Sequence, residues 1–249
     1  MQMHTNKRNA TLMLVPSMYA IAHGTGRHFI SEYYAKITRH NETFTDQRLL
    51  HLSTVPHRRN IMSYVITYVT PNVFDENLFQ NNILSPFHPA NRRFYTYKVT
   101  PLAFDKAQVY AYPKVKNTQT VETKAVVNSK TGKVYMVDFE GEYDMTRFFV
   151  SIVMGKEGYQ SLLPDRCNLK ANFRFMGNNI TGMLSAYYNL PKLISDSLNN
   201  VADTTLMAQV RPVLLNEREL LIYDEYFKEK NRRDSLSQVE GCLLYTSPS

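Results

Sequence analysis

The sequence has no tryptophan, two cysteines, nine glycines and eleven prolines in 249 residues. So little glycine and proline excludes a low-complexity or collagen-like chain. Cys167 and Cys242 form no CxxC pair, which excludes a disulfide framework and a cysteine-based zinc knuckle. No stretch approaches the roughly 18 consecutive apolar residues of a membrane helix. The longest are broken early, as by Pro16 after Leu12, Met13, Leu14 and Val15. Residues 1–9 are polar, and the short apolar segment after them has no small-residue cleavage site, so a signal peptide is not legible. Seven histidines are scattered through the first 88 residues without an HExxH or HxH spacing, which leaves a zinc site unsupported and predicts no metal and no cofactor. GxSxG is missing too. The stretch His23-Gly24-Thr25-Gly26-Arg27-His28 lacks the fuller phosphate-loop patterns and reads as a hairpin turn.

What is present leans toward sheet. Apolar residues make up 43% of the chain, enough for a packed core, and include 17 Tyr and 13 Phe beside many Val and Ile. The net charge of +7 keeps such a chain soluble and gives a general preference for acidic partners.

Leu12–Val15 and Phe29–Thr38 read as strands, the second with Phe29, Ser31, Tyr33, Ala35 and Ile37 on one face. Arg48–Val55 returns beside it after a turn at 40–42. From His57 to Val69 the period becomes helical, with Ile61, Tyr64, Val65 and Tyr68 on one stripe. Ser85-Pro86-Phe87-His88-Pro89 is a loop by composition. Strands then follow at 94–100, 107–113, 119–128, 133–143, 146–154, 167–176 and 179–190, separated by turn signals such as Ser129-Lys130-Thr131-Gly132, Gly155-Lys156-Glu157-Gly158 and Gly177-Asn178-Asn179. Short strands in hairpin succession predict an antiparallel meander with one face to cover, and the helix at 57–69 is its expected cover. After Pro191 the pattern turns helical again. Ala202–Val210 is one short candidate, and Asn216-Glu217-Arg218-Glu219 is a capping-box start for another.

Candidate chemistry is sparse. Asp138, Glu140, Glu142 and Asp144 fall on one face of a strand with Val137, Phe139 and Tyr143 on the other. A Ca²⁺ ion takes such oxygens, but residues two apart on a strand lie about 7 Å from each other, too far for four to share one ion. The row reads instead as a wet outer face with Lys124 or Arg147 beside it. Cys167 follows Arg166, which can lower a thiol pKa, yet a cysteine at a strand start is usually a small core residue. Arg58-Arg59 and Arg92-Arg93, the second pair next to Phe94, Tyr95 and Tyr97, form no continuous basic stripe, so nucleic-acid binding is not expected.

Several stretches carry a resemblance: Pro16-Ser17-Met18-Tyr19, Thr54-Val55-Pro56, Thr70-Pro71-Asn72-Val73-Phe74-Asp75, Leu84-Ser85-Pro86-Phe87, Asn117-Thr118-Gln119, Thr131-Gly132-Lys133-Val134, Gly141-Glu142-Tyr143-Asp144-Met145 and Ser161-Leu162-Leu163-Pro164. Together they resemble a family of unknown function in outer-membrane proteins of gut-type Gram-negative bacteria. The resemblance implies a middle region of about 9–228, between a leader with a carboxypeptidase-regulatory-like sandwich and a C-terminal outer-membrane barrel, on the periplasmic face of the membrane. It implies no catalytic motif. The last eight residues, Cys242-Leu243-Leu244-Tyr245-Thr246-Ser247-Pro248-Ser249, resemble a translated sequencing adaptor and are expected to lie outside the natural protein.

The expected architecture is mainly β with some helix. It is a disordered start at 1–10, then a curved antiparallel sheet packed on a helix over 11–190, similar to the half-barrels of periplasmic lipoprotein carriers. A helical tail over 191–241 leads toward a barrel that is absent from this sequence. The expected function is a non-enzymatic periplasmic binding or scaffold module that handles lipid, lipoprotein or envelope polymer. Val137, Phe139, Phe148, Val150, Phe173 and Phe175 would line an apolar concave face; an ordinary packed core is the plainer reading of the same six residues. A structural spacer, or a hydrolase using the acidic row or Cys167, are the alternatives.

Overall fold

The computed structural model describes residues 1–7, 10–14, 27–40, 43–55, 68–69, 72–79, 83–143, 145–155, 164–188, 190 and 195–244. Along the chain the strands are β1 (Gln2–Lys7), β2 (His28–His40), β3 (Thr43–Ser53), β4 (Asn77–Leu78), β5 (Ile83–Leu84), β6 (Tyr95–Pro101), β7 (Lys106–Pro113), β8 (Glu122–Asn128), β9 (Val134–Tyr143), β10 (Thr146–Met154), β11 (Pro164–Phe175) and β12 (Asn178–Tyr187). Short 3₁₀ helices span Ala10–Leu14 and Pro89–Phe94. Two α-helices close the chain, α1 (Thr204–Val210) and α2 (Glu217–Leu244).

The chain divides into two compact units, Met1–Arg27 with His57–Pro191, and His28–Pro56 with Lys192–Ser249. In the first, β6 to β12 form the expected meander: each strand pairs antiparallel with the next, and β1 adds to the far side of β12. Within this unit β1 and β6 stand at the two ends of the order, so the sheet does not close on itself. The alternation of the sequence decides the faces. Val137 and Phe139 point inward from β9, beside Val150 and Ile152 of β10, Cys167 and Phe173 of β11, and Ile180 and Leu184 of β12, all buried. Two hairpins turn on left-handed glycines, Gly132 at φ 72° and Gly177 at φ 78°, conformations that cost a glycine little.

The second unit is a long β2–β3 hairpin packed with the C-terminal helices. Ile30, Leu49, Leu50 and Leu52 are buried with Met207 and Val210 of α1 and Tyr223 of α2. Residues 200 and 201 run along β3: Asn200 N donates to Arg48 O, His51 N to Val201 O and Val201 N to Leu49 O. The Thr54 hydroxyl fastens the hairpin's end, accepting from Ile30 N at 2.9 Å and donating to Ile30 O at 3.2 Å. Both helices start on side-chain caps. Asp203 accepts from Thr205 N and Leu206 N. At α2, Asn216 Oδ1 accepts from Glu219 N at 3.0 Å while Glu219 Oε2 accepts from Asn216 N at 2.7 Å, the reciprocal capping box expected from the sequence. No described helix is long and apolar enough to cross a membrane.

The mainly antiparallel β class and the helical C-terminal segment hold. Three local expectations need correction or fall outside what is described. The start is not disordered: Gln2–Lys7 is a strand, held by antiparallel pairing with β12. Residues 12–14 belong to a 3₁₀ turn rather than a strand, and the adjacent Thr11 hydroxyl meets Asn178 Nδ2 at 3.0 Å. Of the expected helix at 57–69 and its basic pair Arg58-Arg59, only Tyr68 and Val69 lie within the described residues, and they are helical. The expected glycine turn at 23–26 and, beyond Gly155, the expected turn at 155–158 also lie outside them.

Candidate functional site

The six residues expected to line an apolar concavity do share one face. Register places Phe139 opposite Val150, Phe148 opposite Gly141, and Phe173 opposite Thr146. Val137, Phe139, Val150 and Phe173 are buried, and Phe148 and Phe175 are half-buried. This face is occupied. Residues 72–79 and 83–94 lie over it and contribute Val73, Leu78, Phe79 and Ile83 to the same core. Phe87 meets Phe139 edge-on at 6.3 Å between ring centres, Phe79 meets Phe148 at 5.9 Å, and Phe74 meets Phe87 at 6.3 Å. Such edge contacts at about 5–7 Å are the packing aromatic rings prefer.

The described part of this cover holds only the short β4–β5 pair and the 3₁₀ helix Pro89–Phe94, so side chains satisfy much of its remaining backbone. Ser85 Oγ donates to Val73 O at 2.5 Å. The buried Asn91 amide donates to Glu76 O at 2.6 Å and Ser85 O at 3.0 Å. Tyr95 and Tyr97 reach from β6 to donate to Leu84 O and Pro86 O at 2.7 and 2.6 Å. Leu84 N donates to Gln119 O, and the Tyr188 hydroxyl donates to Val69 O at 2.6 Å. Burial pushes the Tyr95 phenol up to about 12, against the opposing effect of the Val121 amide that donates to it. In the sequence, Tyr95 and Tyr97 stand as possible stacking surfaces beside Arg92-Arg93. Their work in the fold is to hold the cover, and the Arg93 guanidinium lies over the Phe94 ring at 4.8 Å.

On the opposite face the acidic row has mixed neighbours, and Asp138 Oδ1 is buried there without a hydrogen-bond partner among the described residues. Asp138 stands opposite Lys124 on one side and Ser151 on the other. Glu142 meets Arg147 at 4.0 Å, and Glu122, opposite Glu140, meets Lys116. Asp144 lies outside the described residues. Among the described residues no group of three or more His, Cys, Asp or Glu is placed to hold a metal ion. Cys167 sits inside the core between Ile152 and Ala186, where burial alone pushes its thiol up to about 12. A thiol so far from its thiolate is a poor nucleophile.

A family model described as a family of unknown function (DUF5686) matches residues 12–190. The chain belongs to this family. No curated protein and no solved structure matches it. Within the family region, several described residues of the motifs that carried the sequence resemblance have structural tasks. Asn72 Oδ1 accepts from Phe74 N while its amide meets Asp75. Asn117 closes its own turn through Gln119 N at 2.9 Å. Gly141 has no space for a side chain: a Cβ there would meet Phe148 Cζ and Val121 Cγ1 at 2.8 Å. Sequence reasoning missed this cover-holding set; the signal was the cluster of Ser, Asn and Tyr within motifs that carry no recognisable chemistry.

Proposed function

We propose that this member of the family is a non-enzymatic binding or scaffold module on the periplasmic side of a Gram-negative outer membrane. It meets lipid, lipoprotein or envelope polymer at its surface rather than enclosing a ligand. One observation carries the non-enclosing part: the face formed by Val137, Phe139, Phe148, Val150, Phe173 and Phe175 is filled by the chain's own residues 72–79 and 83–94. The side chains of the described motifs bond backbone and pack the core, which favours a scaffold over a hydrolase. The compartment rests on the resemblance of those motifs to outer-membrane proteins, and the partner would be the membrane or a barrel fused to this region.

The test is fractionation of cells that express the natural full-length gene with an internal epitope. The expected result is co-sedimentation with outer-membrane markers, with digestion by added protease only after the outer membrane is permeabilised. Recovery with cytosolic markers would overturn the compartment and the partner together.

A further inference from the structure

At one end of the meander two hairpin turns are tied together. The β6–β7 turn carries Phe104 and Asp105 at its apex, and the β8–β9 turn carries Ser129 to Lys133. Ser129 donates to Asp105 O through both its amide, at 2.8 Å, and its hydroxyl, at 3.0 Å, while the Lys130 ammonium meets the Asp105 carboxylate at 2.9 Å. Phe104 is 92% exposed and adopts φ 59°, a left-handed conformation unusual for a bulky side chain. Turns of this shape favour Asn-Gly or Asp-Gly. A large aromatic at such a place adds nothing to the fold that a smaller polar residue would not supply. Val99 and Leu102, near the end of β6, are 61% and 44% exposed and add apolar surface at this end of the sheet.

The charge around this tip is net positive. Residues 101–106 and 128–134 hold three lysines, Lys106, Lys130 and Lys133, against one carboxylate, Asp105, which already meets Lys130. Lys106 and Lys133 are drawn to the same Tyr135 ring, 5.2 and 5.7 Å from its centre. A protruding phenyl ring thus shares its two turns with three lysines. It fits the boundary of an anionic bilayer, where an aromatic enters the acyl edge and lysine stems lie along it with their ammonium groups among the phosphates.

We propose that the paired turns 101–106 and 128–134 are a membrane-docking tip. Phe104, with Leu102 and Val99 behind it, inserts into the headgroup–acyl boundary, and Lys106, Lys130 and Lys133 contact anionic phospholipid. This inference stands on the surface chemistry of the tip and holds in whichever compartment the protein works.

The experiment uses the full chain and vesicles of phosphatidylcholine with or without phosphatidylglycerol. The expected result is co-sedimentation with the anionic vesicles, weakened by salt, and little with the neutral ones. Phe104→Asn keeps a residue that accepts the left-handed turn, so its unfolding midpoint should equal or exceed the parent's while binding falls roughly tenfold. Lys106→Gln with Lys133→Gln should remove the preference for phosphatidylglycerol. Because the sequence lacks tryptophan, Phe104→Trp places a single reporter at the apex; its emission should shift to the blue on anionic vesicles and be quenched by brominated acyl chains. An unbound parent, undiminished binding by Phe104→Asn, or an unshifted indole emission from the Phe104→Trp variant would overturn the assignment. So would a dimer, seen in sedimentation equilibrium, that Phe104→Asn abolishes while vesicles leave the parent unbound.

Discussion

A methyl group added at Gly141 would stand 2.8 Å from both Phe148 Cζ and Val121 Cγ1. Phe148 is already engaged with Phe79, and Val121 is fully buried, so neither can give way without disturbing the cover. Gly141→Ala should therefore cost about 1–3 kcal/mol as an overpacked core does, read as a lower urea midpoint with unchanged slope. Protons at two buried groups give a second outcome. Burial raises the Cys167 thiol from its ordinary 9.0, and the Tyr95 phenol from its ordinary 10.0, each to about 12. Both groups hold their protons more tightly folded than unfolded, so their contribution is complete below those ordinary values and is lost as pH rises toward 12. In that window each group removes up to about 1.4 kcal/mol of stability per pH unit. Unfolding midpoints measured across the alkaline range should fall accordingly, and Cys167→Ala should flatten the early part of the decline. In a Cys242→Ser background the Cys167 thiol should react with a disulfide reagent only after denaturation; rapid labelling of the native chain would contradict its burial.

At the scale of elements, the periodic ones were readable and the aperiodic one was not. β10 runs over the same residues, 146–154, that alternation predicts, because a two-residue period leaves a strand with one buried face no other register. The start of α2 was readable because Asn216 and Glu219 are three apart, and that spacing is itself the geometry of the box. The cover formed by residues 72–79 and 83–94 left no such trace. Its stabilising bonds run from Tyr95, Tyr97 and Asn91 to backbone oxygens that no local pattern points to. The ion pair of the second unit was equally invisible: Glu32 on β2 and Arg211 after α1 meet in two bonds of 2.8 Å, though 179 residues apart, with side chains 17% and 10% exposed. Tyr223 lies beside them, its phenol raised by burial first and by the Glu32 charge second. Arg211→Met strands a largely buried carboxylate and should cost roughly 3 kcal/mol. The double variant Glu32→Leu with Arg211→Met should recover most of that loss, because it leaves no unpaired charge. Equal destabilisation of single and double variants would show that packing of the Arg211 stem, rather than its charge, holds the hairpin to the helices.

For the molecule as a whole, the sequence placed the six candidate residues on one face but could not say what covers it. Alternating apolar residues read alike whether they line a cavity or a core, and the distinction depends on Phe79 and Phe87, which arrive from a segment without periodicity. The distinction has a measurable consequence. A sheet whose apolar face is closed by an acyl chain loses hydrophobic burial when lipid is removed, and its stability then depends on ligand concentration. A sheet closed by its own chain does not. Extraction of the purified protein under denaturing conditions, followed by refolding without lipid, should therefore return the same thermal midpoint as the native preparation. Phe139→Ala, in contrast, removes the ring that meets Phe87 and should cost about 3–5 kcal/mol, with or without lipid present. A lower midpoint after extraction, restored by adding fatty acid, would mean that this cover yields to a ligand and that the face is a carrier's pocket. An unchanged midpoint leaves the apolar face to folding and moves the search for partners to the exposed hairpin tips and the charged face of the sheet.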